Sequence, residues 1–301
     1  MRYLVTGAAG FIGSHLAETL LERGHSVVGI DCFTDYYDVA RKEENARELD
    51  VQRVDLAEDE LDFSGLDGVF HLAGQPGARS FGDVFPLYLR RNVLATQRVF
   101  EAAVAANVKV VWASSSSIYG DAEQYPTRED ATPRPNNPYG ITKLSCELLH
   151  DAYARSFGLE AVALRYFTVY GPRQRPDMAF ARIVEALASG GSFELYANTS
   201  RSFTYVADVV DATIAALGAA PDVYNVGGGE EATMHEAIAL LEDIAGRRLA
   251  VSEGAPQVGD MRRTKADTSR IEHELDWRAT TPLHAGLAEH WRWCSARVGT
   301  A

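Results

Sequence analysis

The chain has 301 residues, 46% of them apolar, and 42 acidic against 29 basic side chains give a net charge of −13. This length and apolar content suit about two buried cores, and the acidic surplus disfavours general attraction to nucleic acid or an anionic membrane, while leaving local phosphate binding open. The three cysteines, Cys32, Cys146 and Cys294, have no CxxC spacing, so neither a disulfide framework nor a zinc site is indicated.

In chain order, residues 3–6, 26–31, 68–73, 108–114 and 160–166 read as short strands, with amphipathic helical patterns between most of them. The alternation predicts an α/β fold, a Rossmann-type doubly wound parallel sheet with helices on both faces. Beyond Phe167 the pattern loosens into Gly/Pro-rich turns and helical stretches at 179–188, 207–217, 234–245 and 283–293. A smaller α/β domain is expected there. The expected division is 1–167 plus about 205–226 for the first domain and 168–204 plus 227–301 for the second, packed around a shared cleft. The strand-like run from Tyr3 leaves no room for a signal peptide, and no apolar stretch reaches membrane-spanning length, which points to a cytoplasmic protein.

The first strand runs into Thr6-Gly7-Ala8-Ala9-Gly10-Phe11-Ile12-Gly13, and a helix is expected over 13–23. Glycine permits a tight turn and close backbone approach to a pyrophosphate, whose charge is favoured at a helix N-terminus. Gly7, Gly10 and Gly13 are the candidates; a ligand-free glycine turn is the alternative. The second strand ends in Asp31, near the distance of about 20 residues at which an acid binds the adenine ribose diol. A carboxylate there repels a 2′-phosphate, which favours NAD over NADP; a strand-end cap is the plainer reading.

The fourth strand leads into Ser114-Ser115-Ser116-Ser117-Ile118-Tyr119-Gly120, and Tyr139-Gly140-Ile141-Thr142-Lys143 opens a later helix. Tyr139 and Lys143 share one helical face. A phenol is a poor base near neutrality, but a neighbouring ammonium and the positive ring of NAD⁺ stabilise its phenolate, which then takes a hydroxyl proton while hydride leaves. Alone, a YxxxK pair is more often a packed Tyr and a surface Lys. Joined to the glycine turn and the serine run, it points to redox chemistry.

With TGAAGFIG, Asp31, Asp55-Leu56, HLAGQPG (71–77), Asn92, SSSSIYG, YGITK, RYFTVYGPRQRPDM (165–178), RSFTYVADVV (201–210) and GDMRRTKAD (259–267) in order, nearly the whole chain resembles the extended short-chain dehydrogenase/reductase superfamily. Within it the chain is similar to the NAD-dependent sugar-nucleotide epimerase/dehydratase family, and most of all to UDP-glucuronate 4-epimerases. The resemblance implies that Asp55 and Leu56 touch adenine, that Ala73 and Gly74 line the cofactor together with Phe11, Ile12 and Asn92, and that Lys143 also holds the nicotinamide ribose. Placing the catalytic Ser/Thr four residues before the Tyr of the YG pair selects Ser115.

The same resemblance bears on the reaction. The family's 4,6-dehydratases carry an Asp-Glu pair where this chain has Ser116-Ser117, and its UDP-glucuronate decarboxylases carry Glu at the position of Ser117. Reversible oxidation at the sugar's 4-position remains, giving the 4-epimer through a transient 4-keto sugar. UDP-glucose/UDP-galactose epimerases usually have Asn in place of Thr168; Ser116, Ser117 and Thr168 instead suggest a hydroxyl cradle for a sugar carboxylate. The plainer reading is that these hydroxyls satisfy backbone groups. Alternatives are a UDP-glucose/UDP-galactose 4-epimerase, a UDP-glucuronate decarboxylase and a non-enzymatic NAD-binding regulator.

The resemblance assigns diphosphate contact to Arg201, whose planar guanidinium suits phosphate oxygens, with Arg182 and Arg263 as further candidates and Tyr196 beside the uracil. Departures from the family are a shortened loop between Tyr196 and Arg201, Gln257 in place of an Arg, which shifts attention to Arg262 or Arg263, and a small Thr264 where bulky sugar 2-substituents are gated. His15, His25 and His71 lack metal-ligand spacing. Trp277, Trp291 and Trp293 read as a core cluster, and helices over 87–106 and 139–157 are expected to form a four-helix homodimer contact.

Overall fold

The computed structural model describes residues 1–77, 82–255, 261 and 263–298. In chain order the elements are β1 (Arg2–Thr6), α1 (Phe11–Glu22), β2 (Ser26–Asp31), α2 (Val39–Asn45), β3 (Val51–Arg53), β4 (Gly68–His71), α3 (Phe85–Tyr88), α4 (Ala95–Ala106), β5 (Val110–Ser115), α5 (Pro138–Phe157), β6 (Ala161–Tyr166), β7 (Thr168–Tyr170), α6 (Ala179–Ser189) and β8 (Ser192–Leu195). They continue with β9 (Ser200–Tyr205), α7 (Val206–Ala215), β10 (Val223–Val226), β11 (Glu231–Thr233), α8 (Met234–Ala245), β12 (Ala250–Glu253), β13 (Arg263–Thr264), α9 (Ser269–Leu275) and α10 (Leu283–Val298).

Seven strands form one parallel sheet in the order β10-β6-β5-β4-β1-β2-β3. This is the Rossmann-type doubly wound arrangement, with its switch point between β1 and β4. Consecutive strand residues point to opposite faces, so Leu4, Val69 and Val110 join the core beneath α4 and α5, while Val5, Phe70 and Val111 join the core beneath α1 and α7. Strands covered on both faces read as continuous apolar runs, which is why the central ones were legible. The edge strands β3 and β10, of three and four residues, carry too short a pattern to be read and were not expected.

A separate core gathers Tyr170, Phe180, Ile183, Leu187, Phe203, Ile238, Leu241 and Leu287 from β7, β9, α6, α8 and α10. Small sheets, β11-β9-β13 with β7 beside β9, and β12-β8, frame it. None of these strands was individually expected. α9 departs from the expected division: Ile271 and Trp277 bury in the first core, and Trp277 Nε1 donates to the Asp208 carbonyl at 2.9 Å. Trp291 and Trp293 are only partly buried, against the second core, so the three tryptophans serve two cores and not one cluster.

The helix expected over 87–106 is continuous in direction but not in type. A π-helical segment, Leu89–Leu94, separates α3 from α4 and places Asn92 inside it. Two ion pairs, Arg41–Glu185 and Arg297–Glu44, tie α2 of the first core to α6 and α10 of the second. Gln257 and Arg262 lie outside the described residues.

Candidate active site

One continuous cleft of about 710 Å³ runs from the glycine turn, past the ends of β4, β5 and β6, to β8 and β9. Its cofactor end is shaped by backbone. Gly7 has φ +70°, and a Cβ there would lie 2.9 Å from Ala73 N; a Cβ on Gly13 would lie 2.1 Å from Gly7 O. No side chain fits at either position without moving backbone, so β1, α1 and the Ala73 segment meet only through glycine. The first helical bond of this turn is Ser14 N to Gly10 O at 3.1 Å, which leaves the amides of Phe11, Ile12 and Gly13 for an anion. Gly7, Gly10, Phe11, Ile12 and Gly13 all line the cleft.

Asp31 lies at the end of β2 and is held by two backbone amides, Ala9 N at 3.2 Å and Phe33 N at 2.7 Å, which fix its carboxylate at the cleft wall. Asp55 and Leu56 line the same end, with Asp55 also accepting from Arg90 at 2.8 Å. Ala73 and Gly74 line the next stretch. Asn92 does not. Fully buried, it accepts from Gln75 N at 2.7 Å and donates to Gln75 O and Thr142 Oγ1 at 3.1 and 3.0 Å. Its amide is spent on holding the Gly74-Gln75 segment against α5, so its place is behind the cofactor wall, a correction to the expectation that it binds cofactor directly.

The glycines and the acid suit a dinucleotide: a turn that only glycine permits, free helix amides beside it and a carboxylate one strand away. His71 lies beneath this end with Thr6 Oγ1 at 2.8 Å from Nδ1 and Thr96 Oγ1 at 3.0 Å from Nε2. Burial pushes its pKa down to about 3, with the Lys143 ammonium adding to the effect, so it is neutral at physiological pH. Among the described residues no group of three or more His, Cys, Asp or Glu side chains is arranged to hold a metal, and no helix is long and apolar enough to cross a membrane.

In the middle of the cleft α5 brings Tyr139 and Lys143 to the end of β5. Asn137 caps that helix by accepting from Gly140 N at 2.8 Å, and Pro138 occupies its first position. Gly140 is required because a Cβ there would lie 2.4 Å from Ser117 O, so helix and serine run touch backbone to backbone. Lys143 Nζ donates to Ala113 O at 2.7 Å and stands 5.8 Å from the centre of the Tyr139 ring. Ser115 ends β5 in extended conformation, and its Oγ accepts from Ser117 N at 3.1 Å. Ser115, Ser116, Ser117 and Thr168 line the same stretch of cleft, all four serines of the run being buried.

Sequence reasoning missed several cleft residues. Arg175 lies in the wall, paired with Asp177 at 3.0 and 3.1 Å, and the Asp177 carboxylate also accepts from Tyr36 OH at 3.3 Å. Burial opposes the Arg175 charge, but Asp177 outweighs it and raises its pKa. Arg175 belonged to a quoted motif, and its charged partner two residues on was the available signal. Lys42 lines the cofactor end from α2, bonded to Thr34 at 2.9 Å; a seven-residue helix left no periodic signal.

At the far end, Arg182, Tyr196 and Arg201 line the cleft, with the Arg182 guanidinium 5.0 Å from the Phe193 ring centre and 5.9 Å from that of Tyr196. Arg201 donates to the carbonyls of Ser200 and Met261. Arg263 is a correction: it does not line the cleft but is an exposed residue of β13, bound through two nitrogens to Glu231 at 2.6 and 2.9 Å and facing the Tyr125 ring. Thr264 is buried, pairs in register with Arg201 of β9, and is not among the residues that line the cleft.

Residues 3–227 match the model of the NAD dependent epimerase/dehydratase family. The chain is 39% identical over 306 residues to the uncharacterized UDP-glucose epimerase YtcB of Bacillus subtilis, covering 95% of this chain and 96% of that protein. It is 33% identical to UDP-glucuronate 4-epimerase 6 of Arabidopsis thaliana, covering 96% of this chain and 70% of the plant protein. The crystal structure of UDP-glucuronic acid 4-epimerase from Bacillus cereus with UDP-glucuronic acid and NAD superimposes with a TM-score of 0.95 at 37% identity, covering 99% of this chain and 100% of that one. By the extent of the family match and by these relatives, the chain belongs to the NAD-dependent epimerase/dehydratase family.

Proposed function

We propose that the protein is an NAD-dependent nucleotide-sugar 4-epimerase that interconverts UDP-glucuronate and UDP-galacturonate. The observation that carries this reading is the meeting of Tyr139 and Lys143 with Ser115, Ser116, Ser117 and Thr168 in the middle of one cleft. NAD, when bound, would supply reversible hydride acceptance at the sugar's 4-carbon. Gly7, Gly10, Phe11, Ile12 and Gly13 would hold its diphosphate, Asp31 the adenine ribose, Asp55 and Leu56 the adenine, and Ala73, Gly74 and Lys143 the nicotinamide end.

Tyr139 takes the proton of the sugar's 4-hydroxyl and later returns it. Lys143, held by the Ala113 carbonyl with its ammonium 5.8 Å from the centre of the Tyr139 ring, stands beside the site of proton transfer. Ser115 donates to the sugar oxygen as its carbonyl character grows. The 4-keto sugar of this step is a β-keto acid when the substrate is a uronate, prone to losing carbon dioxide. Ser116, Ser117 and Thr168 hold the carboxylate by neutral donors and keep it from the orientation that loss requires. No acidic side chain stands at 116 or 117 to drive elimination. Arg182, Arg201 and Tyr196 keep the uridine diphosphate in place while the sugar turns to present its other face.

In this reading 1–167 plus about 205–226 serve the cofactor, and 168–204 plus 227–301, apart from α9, form the part that grips the nucleotide. Exposed Ile141, Leu148 and Phe157 on α5, with Leu89 and Leu94 on the π-helical segment, support a homodimer through a four-helix contact. Incubation with UDP-glucuronate and separation of the products tests the function. UDP-galacturonate is expected. Conversion of UDP-glucose to UDP-galactose with no action on UDP-glucuronate, or release of a UDP-pentose as main product, overturns the substrate or the reaction.

A further inference from the structure

Beneath the serine run lies a polar cluster that the reaction itself does not use. Glu147 and Arg165, with side chains only 9% and 8% exposed, form a two-nitrogen ion pair: Arg165 Nε donates to Oε1 at 2.9 Å and Nη2 to Oε2 at 2.7 Å. The remaining guanidinium nitrogen donates to Tyr119 OH at 2.7 Å and to the Glu129 carbonyl at 2.8 Å. Tyr119 OH in turn donates to Asn225 Oδ1 at 2.7 Å on β10. The carboxylate has one more partner, Ser114 Oγ, which donates to Oε1 at 2.5 Å.

The placement of these groups is specific. Glu147 stands one helical turn after Lys143 on the face of α5 that carries Tyr139. Ser114 immediately precedes Ser115, and Ser114 and Arg165 are register partners on β5 and β6. Ala113 is bound by Lys143 and Ser114 by Glu147, so two successive residues of β5 are fastened to two successive turns of α5. Arg165 then fastens that junction to the far end of the serine run through Tyr119, where Gly120 leaves at φ +59°. Packing alone needs no charges here. A buried ion pair gives little net stability over apolar side chains of similar volume, so its use is better sought in geometry than in stability.

We propose that the Glu147–Arg165 pair is a positioning device for the reaction, holding the end of β5 in the register with α5 that sets Ser115 against Tyr139 and Lys143. Both residues act through Ser114, Tyr119 and the helix face, not on substrate. The proposal rests on the epimerase reading for its kinetic test but not for its structural one.

The test replaces both partners at once, Glu147→Leu with Arg165→Met, and compares melting midpoint, NAD content, KM and kcat per NAD-loaded site with UDP-glucuronate. The double variant leaves no charge unpaired and is expected to fold, melting somewhat below the parent because Ser114 Oγ and the Glu129 carbonyl each lose a partner, while kcat per NAD-loaded folded site falls on the order of 100-fold, the cost of roughly 1 Å of misplacement. KM is expected within about threefold of the parent, since nucleotide contacts lie elsewhere. Parent kcat per loaded site in the folded double variant overturns the proposal and leaves the pair a structural one. Should that variant fail to fold, Ser114→Ala decides: it keeps the pair and removes the hydrogen bond by which Glu147 holds β5, and unchanged kcat overturns the proposal. If the parent does not turn over UDP-glucuronate, the functional reading fails separately. Crystal structures of the same variants then decide, with Ser115 Oγ and Lys143 Nζ displaced relative to each other supporting the device and superimposable positions overturning it.

Discussion

The two ends of the cleft are built by different physics. The cofactor end is defined by backbone approach: Gly7 and Gly13 leave no room for even a methyl group, and Asp31 is fixed by two amides. The nucleotide end is defined by long side chains, Arg182 over two aromatic rings and Arg201 tethered to the Ser200 and Met261 carbonyls. Sterically defined sites tolerate little change and bind one kind of group. Sites made of flexible cations tolerate change and can be re-aimed, which suits an end that must hold a nucleotide while the sugar turns.

Between these ends lies the chemistry, and the largest expected effect falls there. Tyr139→Phe removes the group that moves the proton but no group that shapes either end. It is expected to lower kcat by about 10³-fold, roughly 4 kcal/mol, with NAD content and nucleotide affinity retained. Steady-state rates combined with the absorbance spectrum of bound cofactor check this, and near-parent turnover would remove Tyr139 from the mechanism.

Gly13→Ala strikes the cofactor end. The new methyl meets Gly7 O at 2.1 Å, a backbone atom that cannot step aside without moving β1 or the Ala73 segment. Loss of bound NAD and a destabilisation of about 3 kcal/mol are expected, read from cofactor release on denaturation and from urea melts. By contrast, Arg201→Ala strikes the nucleotide end, where one charged donor set is removed and the backbone stays. The expected result is a rise in KM of roughly 10- to 100-fold, about 1.4 to 3 kcal/mol, with kcat little changed. Arg263→Ala, outside the cleft and paired with the half-buried Glu231, is the control, and its KM is expected within about twofold of the parent. Equal effects of the two arginine variants would break the comparison between the ends.

The same difference explains what the sequence disclosed. Strands buried on both faces, the glycine turn and Asp31 were readable because backbone sterics admit few residue types. Tyr139 and Lys143 were readable because helical spacing fixes their shared face. Arg263 was misplaced because nothing in a two-residue strand tells which side of it faces the cleft, and Thr264 failed with it. Asn92 was assigned to cofactor because a motif gives a residue's neighbourhood but not the direction of its amide, which here is consumed by Gln75 and Thr142. The π-helical segment that carries it has no composition signal. The strands around the second core escaped because most have four residues or fewer, are not buried on both faces and are set among turns.

The smallest expected effect compares two buried histidines, one from each region. His71 has a threonine hydroxyl at each ring nitrogen; His290, on α10, has no partner for either nitrogen among the described residues. Burial pushes the pKa of both down to about 3, for His71 with the Lys143 charge adding to it. An unfolded chain protonates each near pH 6.5, so between that value and about 3 the unfolded state holds more protons, and stability falls as pH falls, by up to about 1.4 kcal/mol per unit for each histidine. His290→Leu removes one of these protonation sites together with two buried groups that lack partners. It is expected to raise stability by about 1 kcal/mol at pH 7.5 and by more at pH 5.5, flattening the acid limb, whereas His71→Leu is expected to lose stability at pH 7.5 because Thr6 and Thr96 lose their partner. Urea melts at the two pH values check both. A His290→Leu variant less stable than the parent at pH 5.5 would show that the ring nitrogens are satisfied in solution.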